Sequence, residues 1–248
     1  MRLIILRTWV LVVIKAVFFD WFNTLVRYEH AREELYLQAF RQFGFEPSSK
    51  AIIRGVLEAD RYCIEENAQF PINKRSPDEQ IEVYLSYPRA ILTEAGLEAP
   101  KEVQEKIIRI LREQAKRATV ALFDDVLPTL AVLKAQKLTL GLLTNATKNT
   151  LSIHRQLGLE PYLDLVVTSE EVGADKPKPP LFLAALDRAG VKGSEAVHVG
   201  DQYELDVAGA RGAGITPILL DRYDVYPEVG DCPRIRSLSE LAGYLKLT

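Results

Sequence analysis

Residues 15–20 read K-A-V-F-F-D, a short apolar run that ends at an aspartate. Four later segments have the same character, with Val, Ile, Leu or Phe in succession and turn residues on either side. Such runs are typical of strands whose two faces are both covered by other elements. The sequence therefore predicts five buried strands, at residues 15–19, 138–143, 164–167, 196–199 and 216–220.

Helical patterns separate the last four predicted strands. They cover residues 148–157, 179–189 and 205–213, and a glycine follows each of them, as is common at the end of a helix. Alternating strands and helices are typical of a parallel sheet with right-handed connections. We therefore predict an α/β fold with a Rossmann-like parallel sheet, whose ligands would bind beyond the carboxyl ends of the strands.

The long interval after the first strand has a different pattern. It contains no convincing strand and predicts four helices at residues 31–43, 49–67, 77–95 and 100–118, with a kink or an early end at Pro88. The predicted domains are an α/β core of residues 1–27 and 120–248 and an inserted all-helical cap subdomain of residues 28–119. Such an insertion can act as a lid over the strand ends, or as a structural or dimerisation appendage.

The charge and cysteine content of the 248-residue chain exclude several classes of function. Lys and Arg number 31 against 34 Asp and Glu, so the net charge of −3 supplies no broad positive field for nucleic acid. Cys63 and Cys232 are far apart and lack a metal-type spacing, which argues against a disulfide framework or a zinc site. Nucleic acid is therefore not an expected partner, and both cysteines are expected to be reduced thiols.

The amino-terminal segment is apolar but too interrupted to span a bilayer. Its longest uncharged stretch, residues 8–14, is far shorter than the ~18 residues of a membrane helix. It also lacks the apolar region and cleavage site of a secretory signal. We therefore predict a cytoplasmic protein with no membrane partner, either a monomer or a homodimer. Because the first strand is complete from Lys15 onward, we expect natural translation to start near Val12 or Val13.

The first candidate site residues follow the first two strands. Asp20 is the first polar residue after the first strand, where a carboxylate can attack phosphorus or carbon and form a covalent intermediate. Thr144 and Asn145 follow the second strand, where a hydroxyl, an amide and main-chain N–H groups can bind an anionic oxygen. Taken singly, Asp20 could be a turn residue, and Thr144 or Asn145 could be a helix N-cap.

Further charged residues follow the third and fourth strands. Lys176 lies in a turn stiffened by three prolines, from which it could neutralise the charge of a carboxylate and a phosphoryl group. Asp201 and Asp206 follow the fourth strand, after Gly200. Together with Asp20 they would repel one another unless a divalent cation bound between them. All-oxygen ligation at a phosphate site indicates Mg²⁺.

Four motifs therefore stand in order along the chain: Asp after the first strand, Thr after the second, Lys-Pro after the third and Gly-Asp after the fourth. From Lys15 onward the sequence resembles the haloacid dehalogenase (HAD) superfamily of hydrolases, in the branch with a helical (C1-type) cap after the first strand. The resemblance implies a Mg²⁺-dependent phosphatase that acts on a small phosphorylated metabolite through an aspartyl-phosphate intermediate.

The resemblance also implies a role for each candidate residue. Asp20 would be the nucleophile, with Thr144 and Lys176 as the other catalytic groups. Asp206 would support the metal site. The implied phosphate-binding residues are Thr144, Asn145 and Lys176, and the implied metal-site residues are Asp20, Phe22 through its main-chain carbonyl, Asp201 and Asp206.

Phe22 departs from the family's phosphatases, which carry a second aspartate two positions after the nucleophile as acid and base. Loss of general acid–base catalysis typically costs ~10² to 10⁴ in rate, so we expect slow turnover of alkyl phosphates and a smaller loss on aryl, acyl or pyrophosphate leaving groups. The nearby groups that could replace the acid are Tyr28, Glu29, His30 and Tyr203, although a solvated loop position suits each of them better.

Phe22 also keeps other functions open. Dehalogenases of the family carry an aromatic residue at this position, because halide leaves without a proton, but their fourth motif is metal-free and Asp201 would repel a haloacid. A phosphonatase-type hydrolase tolerates a non-acid there but needs an imine-forming lysine in the cap. A binding protein with a degenerate site is the third alternative, since a fold does not fix an activity. The sequence favours the phosphatase.

Overall fold

The computed structural model describes residues 13–29, 32–70, 72–115, 119–145, 150–224 and 226–246. The chain forms two compact units, one of residues 1–27 and 122–248 and the other of residues 28–121. The sequence-based boundaries were placed at 27/28 and 119/120. The expected translation start near Val12 or Val13 concerns residues 1–12, which lie outside the described residues.

The first unit is built around a parallel sheet. Its strands lie in the order β5-β4-β1-β6-β7-β8, and every neighbouring pair is parallel. The predicted Rossmann-like α/β fold is therefore confirmed. A separate two-stranded sheet pairs β2 with β3. The strands are β1 (Ala16–Phe19), β2 (Val26–Tyr28), β3 (Val120–Leu122), β4 (Thr139–Thr144), β5 (Leu165–Thr168), β6 (Ala196–Gly200), β7 (Thr216–Leu220) and β8 (Arg234–Ile235).

Burial explains why the five long strands are visible in the sequence. All four residues of β1 and all five of β6 are buried, and His198 of β6 is the one polar side chain among them. Each predicted strand agrees with an observed one to within one residue at either end. β2, β3 and β8 were missed, because two or three residues are too few to show a pattern.

Eleven α-helices occur within the described residues. The second unit contains α1 (Arg32–Arg41), α2 (Ser49–Gln69), α3 (Pro77–Tyr84), α4 (Ser86–Ala95) and α5 (Lys101–Ala115). The first contains α6 (Val126–Ala135), α7 (Thr150–Gln156), α8 (Ser169–Val172), α9 (Pro179–Ala189), α10 (Ala208–Gly212) and α11 (Leu241–Tyr244). None of the helices in the described part of the chain is long and apolar enough to cross a bilayer.

Two of the predicted helices need correction, and α6, α8 and α11 were not predicted. The single helix predicted at residues 77–95 is two helices, α3 and α4, with Leu85 between them. Pro88 lies in the first turn of α4, where the missing N–H costs nothing. The segment predicted as a helix at 205–213 starts earlier, with a π-helical turn at Tyr203–Val207 before α10. α6 was missed because apolar side chains also occupy its exposed face, which hides the helical period.

The helical unit has a core of its own. Phe40, Ile52, Ile91 and Ile107 are almost completely buried in one cluster contributed by α1, α2, α4 and α5. α2 lies directly against the backbone of α4 at Gly55. A Cβ atom there would lie 2.5 Å from the main-chain nitrogen of Ile91, so this contact requires glycine.

We expect Gly55→Ala to destabilise the helical unit by about 1–3 kcal/mol, the usual cost of forcing an extra carbon into a packed interior. The obstacle is backbone of α4, which cannot rotate away as a side chain can. Urea unfolding of the purified variants measures the effect. Gly212→Ala in α10 is the matched control, because a Cβ there meets no atom within 4 Å and alanine favours the helix. Equal stability of Gly55→Ala and wild type would contradict this packing.

Candidate active site

Three neighbouring strands bring the candidate residues to one edge of the sheet. Strands β4, β1 and β6 are adjacent and parallel, so their carboxyl ends lie side by side. Asp20 follows β1, Thr144 ends β4 and Asp201 follows β6. The main-chain N–H of Asp20 donates to the carbonyl of Val199 at 2.9 Å, which extends the β1–β6 pairing to the aspartate itself.

Lys176 lies between two of the carboxylates. Its Nζ is 2.5 Å from Oδ1 of Asp20 and 2.6 Å from Oδ1 of Asp206. The lysine is only 4% exposed, so its charge is balanced almost entirely by these side chains and little by water. The structure thus joins residues that are 156 and 30 positions apart in the sequence.

Asn145 holds the backbone of Lys176. Its Oδ1 accepts a hydrogen bond from the main-chain N–H of Lys176 at 2.7 Å, and its Nδ2 donates to the carbonyl of Lys176 at 3.3 Å. The hydroxyl of Ser169 donates to the carbonyl of Asn145 at 3.2 Å. Both polar atoms of the Asn145 side chain are therefore used to position the lysine. Thr144 is buried at the end of β4, beside Thr168 of β5.

The carboxylate of Asp206 is surrounded by donors. Oδ1 contacts Nε2 of His198 at 2.9 Å as well as Lys176, and Oδ2 accepts from the main-chain N–H of Gln202 at 3.0 Å. A Cβ atom at Gly200 would lie 2.1 Å from Cγ of Asp206, so the aspartate can occupy this place only over a glycine. This close approach is the structural reason for the Gly-Asp pair after β6.

The sequence predicts a surface position for His154, in a helix, and a packed core position for His198, in the fourth strand. His198 was expected to be a packed core residue and is completely buried, with its ring edge-on to Phe182 at 5.2 Å. Its contact with Asp206 was missed, because nothing in the local pattern indicates it. His154 was expected on the surface and is only 6% exposed. The expected surface position was therefore wrong, since the residue is buried.

Asp201 has one satisfied and one unsatisfied oxygen. Nδ2 of Asn23 donates to its Oδ2 at 3.2 Å, whereas its Oδ1 is buried and has no hydrogen-bond partner among the described residues. Carboxylate oxygens of Asp20, Asp201 and Asp206 lie within 4.8 Å of one another. A buried carboxylate oxygen without a donor, next to two more carboxylates, fits a hard divalent cation such as Mg²⁺.

Burial and repulsion set the protonation of this cluster. Burial raises the pKa of Asp20, Lys176 opposes the rise and Asp206 adds to it. Burial, with the charges of Asp20 and Asp206, raises the pKa of Asp201 well above its ordinary value. Burial also favours the neutral form of Asp206, but contacts with Lys176 and His198 outweigh it and lower its pKa. Although burial favours a neutral amine, the two carboxylates raise the pKa of Lys176, which stays a cation.

Comparisons with known proteins now identify the family. The family model for haloacid dehalogenase-like hydrolases matches residues 14–214. The chain belongs to this family. It is 33% identical over 216 residues to a glyceraldehyde 3-phosphate phosphatase of Methanopyrus kandleri, covering 84% of each chain.

Two solved structures are also similar to this HAD hydrolase. A HAD phosphatase from Thermococcus onnurineus matches with a TM-score of 0.55 and 26% identity, over 94% of this chain and 98% of that one. A 2-haloacid dehalogenase from Pseudomonas syringae matches with a TM-score of 0.53 and 29% identity, over 94% and 99%. Structural similarity therefore extends to both phosphatases and dehalogenases of the superfamily.

Phe22 is half-buried in the turn after β1 and bridges to Val26. Its side chain carries neither an acid nor a base. Of the groups considered as replacements, Tyr203 donates its hydroxyl to Asp231 at 2.6 Å and Glu29 accepts from the hydroxyl of Thr119. Tyr28 lies in β2, and His30 lies outside the described residues.

We expect Asp201→Asn to raise the melting temperature of the protein in EDTA, because it removes a crowded charge. The pKa of the Asp201 carboxyl in the folded protein lies above its ordinary value of 3.8, so the folded state holds the carboxyl proton more tightly than the unfolded state does. The folded protein therefore loses stability as the pH rises from the ordinary pKa to the folded-state pKa. The gain should therefore be small near pH ~4 and grow towards neutrality.

Differential scanning fluorimetry across this pH range measures the effect. Asp231→Asn is the matched contrast, since Asp231 is exposed and its hydrogen bonds with Tyr203 and Arg211 lower its pKa. That variant should give no gain at neutral pH. A lower melting temperature for Asp201→Asn throughout would show that repulsion does not dominate at this residue.

Proposed function

We propose that this HAD hydrolase is a Mg²⁺-dependent phosphatase that acts on a small phosphorylated metabolite in the cytoplasm. The observation that carries the proposal is the convergence of Asp20, Asp201 and Lys176 at one sheet edge, with a buried oxygen of Asp201 left without a donor. The similarity to a glyceraldehyde 3-phosphate phosphatase supports a phosphorylated substrate.

In the proposed reaction a carboxylate oxygen of Asp20 attacks phosphorus, and the bond from phosphorus to the leaving-group oxygen breaks. Water then attacks the phosphorus of the aspartyl phosphate, which releases inorganic phosphate and restores the carboxylate. Lys176, 2.5 Å from Asp20, orients the nucleophile and offsets the charge of the phosphoryl oxygens. The hydroxyl of Thr144 and nearby main-chain N–H groups would bind the same oxygens.

The residues proposed to hold Mg²⁺ are Asp20, Asp201 and the main-chain carbonyl of Phe22. When bound, the ion would neutralise the carboxylates and the phosphoryl group. Asp206 is better suited to support than to ligation, because its two oxygens already accept hydrogen bonds from Lys176, His198 and Gln202. Asn145 likewise acts on phosphate binding through the position of Lys176.

Phe22 shapes the proposed substrate range. Charge stabilisation is supplied by Lys176 and the metal site, whereas Phe22 supplies no proton to the leaving group from the position at which the family's phosphatases carry an aspartate. Leaving groups that depart as stable anions, such as aryl, acyl or phosphate groups, need such a proton least. We therefore propose that the enzyme prefers these esters and anhydrides to simple alkyl phosphates.

We expect the purified protein to hydrolyse p-nitrophenyl phosphate with Mg²⁺ and to lose this activity in EDTA or in Asp20→Asn. Asp187→Asn, which changes an exposed carboxylate on α9, is the control and should retain wild-type activity. The same preparations are tested with 2-haloacids. Halide release that is insensitive to EDTA would favour the dehalogenase alternative, and inertness in both assays would favour a binding protein.

We expect Phe22→Asp to raise kcat on alkyl phosphates by up to ~10²-fold, because it supplies the missing acid and base. The rise should be much smaller on p-nitrophenyl phosphate, so the ratio of the two activities is the decisive measurement. Phe22→Leu, which changes the side chain without adding an acid, should leave that ratio unchanged. A folded Phe22→Asp variant with the wild-type ratio would contradict the role given to this residue.

A further inference from the structure

Arg222, two residues after β7, makes an unusually complete set of contacts. Its guanidinium binds both carboxylate oxygens of Asp125, with Nη1 at 2.8 Å from Oδ2 and Nη2 at 2.9 Å from Oδ1. Nε donates to the carbonyl of Asn23 at 3.2 Å, and Nη2 donates to the carbonyl of Thr24 at 3.0 Å. The group also lies over the ring of Phe123, 3.9 Å from its centre. Its side chain is only 10% exposed.

The two carbonyls belong to the turn that follows the nucleophile. Within this turn Leu25 and Val26 donate their N–H groups to the carbonyl of Trp21, and Asn23 donates to Val26 at 2.7 Å. Asn23 has a φ of 56°, the left-handed conformation that costs energy in a residue with a side chain. Arg222 supports this turn from outside, through the carbonyls of Asn23 and Thr24.

The turn carries two groups of the active site. Phe22 supplies the main-chain carbonyl proposed for the metal site, and the Asn23 side chain donates to Oδ2 of Asp201. Asp20 lies immediately before the turn. A shift of this segment would thus alter the spacing between Asp20 and Asp201, the two carboxylates on which the proposed chemistry depends.

Asp125 anchors the arginine on the opposite side. Its Oδ2 also accepts hydrogen bonds from the hydroxyl of Ser237 at 2.7 Å and the main-chain N–H of Leu238 at 2.8 Å. Although burial favours the protonated form, these donors and Arg222 lower the pKa of Asp125, which stays charged. The guanidinium is consequently fixed against the carboxy-terminal part of the chain.

We propose that Arg222 is a positioning residue, which with Asp125 fixes the turn of residues 21–25 and thereby the geometry of Asp20 and Asp201. Only a guanidinium offers donors in several directions together with a flat face for Phe123, so lysine cannot replace it. The catalytic consequence rests on the proposed phosphatase function. The effect on the turn does not depend on it.

The chain offers a matched control in Arg234. This arginine also lies at the carboxyl side of the sheet and binds buried Asp221 at 2.8 Å and Asp224 at 3.0 Å. Among the described residues, its side chain pairs with these two carboxylates and not with the turn after β1. Arg234→Lys therefore removes a comparable guanidinium without touching the residues that Arg222 holds.

The test compares Arg222→Lys, Asp125→Asn and Arg234→Lys by hydrogen–deuterium exchange of the segment 21–26 and by phosphatase kinetics. Loss of hydrogen bonds to a charged group should speed exchange in this segment by about 10-fold or more in the first two variants. Misplacement of the site should lower their kcat by about 10- to 10²-fold with a smaller change in KM. Arg234→Lys should match wild type in both measurements.

Unchanged exchange at 21–26 in folded Arg222→Lys would overturn the proposal, as would an equal effect of Arg234→Lys. If Arg222→Lys does not fold, the same measurements on Asp125→Asn test the proposal. This variant keeps the hydrogen bonds from Arg222 to the turn but removes the carboxylate that holds the guanidinium in place. If exchange rises as expected while wild-type protein hydrolyses no phosphate ester, the turn is held as proposed and the phosphatase function is wrong.

Discussion

The buried ammonium of Lys176 is the contact on which the arrangement of the site depends. A charge that is 4% exposed is stable only beside opposite charges, and Asp20 and Asp206 supply these within 2.6 Å. One cation cannot balance three carboxylates. Asp201 is the carboxylate that has no matching positive charge. Burial and the neighbouring carboxylates raise its pKa. The cluster thus has an excess of negative charge, which a bound divalent cation would neutralise.

The lysine can hold this place only because several distant segments position it. Asn145 binds its main chain, and Gly200 leaves the space that Asp206 occupies. His198 in the central sheet then fixes the same carboxylate. These contacts come from β4 and β6, the two strands that flank β1 in the sheet, so the order of the strands, more than any one loop, determines the geometry.

Local patterns predict the fold well and the contacts within the site poorly. The buried strands are apolar on both faces, and each side chain that follows one is easily found, as with Asp20 after β1. The division at Leu85 and the short strand β8 could not be found, because neither interrupts or creates a repeating pattern. The pairing of Arg222 with Asn23 joins residues 199 positions apart, and no local signal encodes it. The roles of the site residues remain predictions from resemblance.

The surrounding structure must hold the carboxylates of the site together against their mutual repulsion. Lys176 offsets the repulsion between Asp20 and Asp206, but both repel Asp201 when no divalent cation is bound. The left-handed Asn23 adds strain in the same turn. A site of this kind keeps its shape only if rigid surroundings oppose both effects. The fully paired central strands and the Arg222–Asp125 pair do so from two sides of Asp20. The stability of the sheet therefore allows the nucleophile and its neighbouring carboxylates to remain close enough to act together.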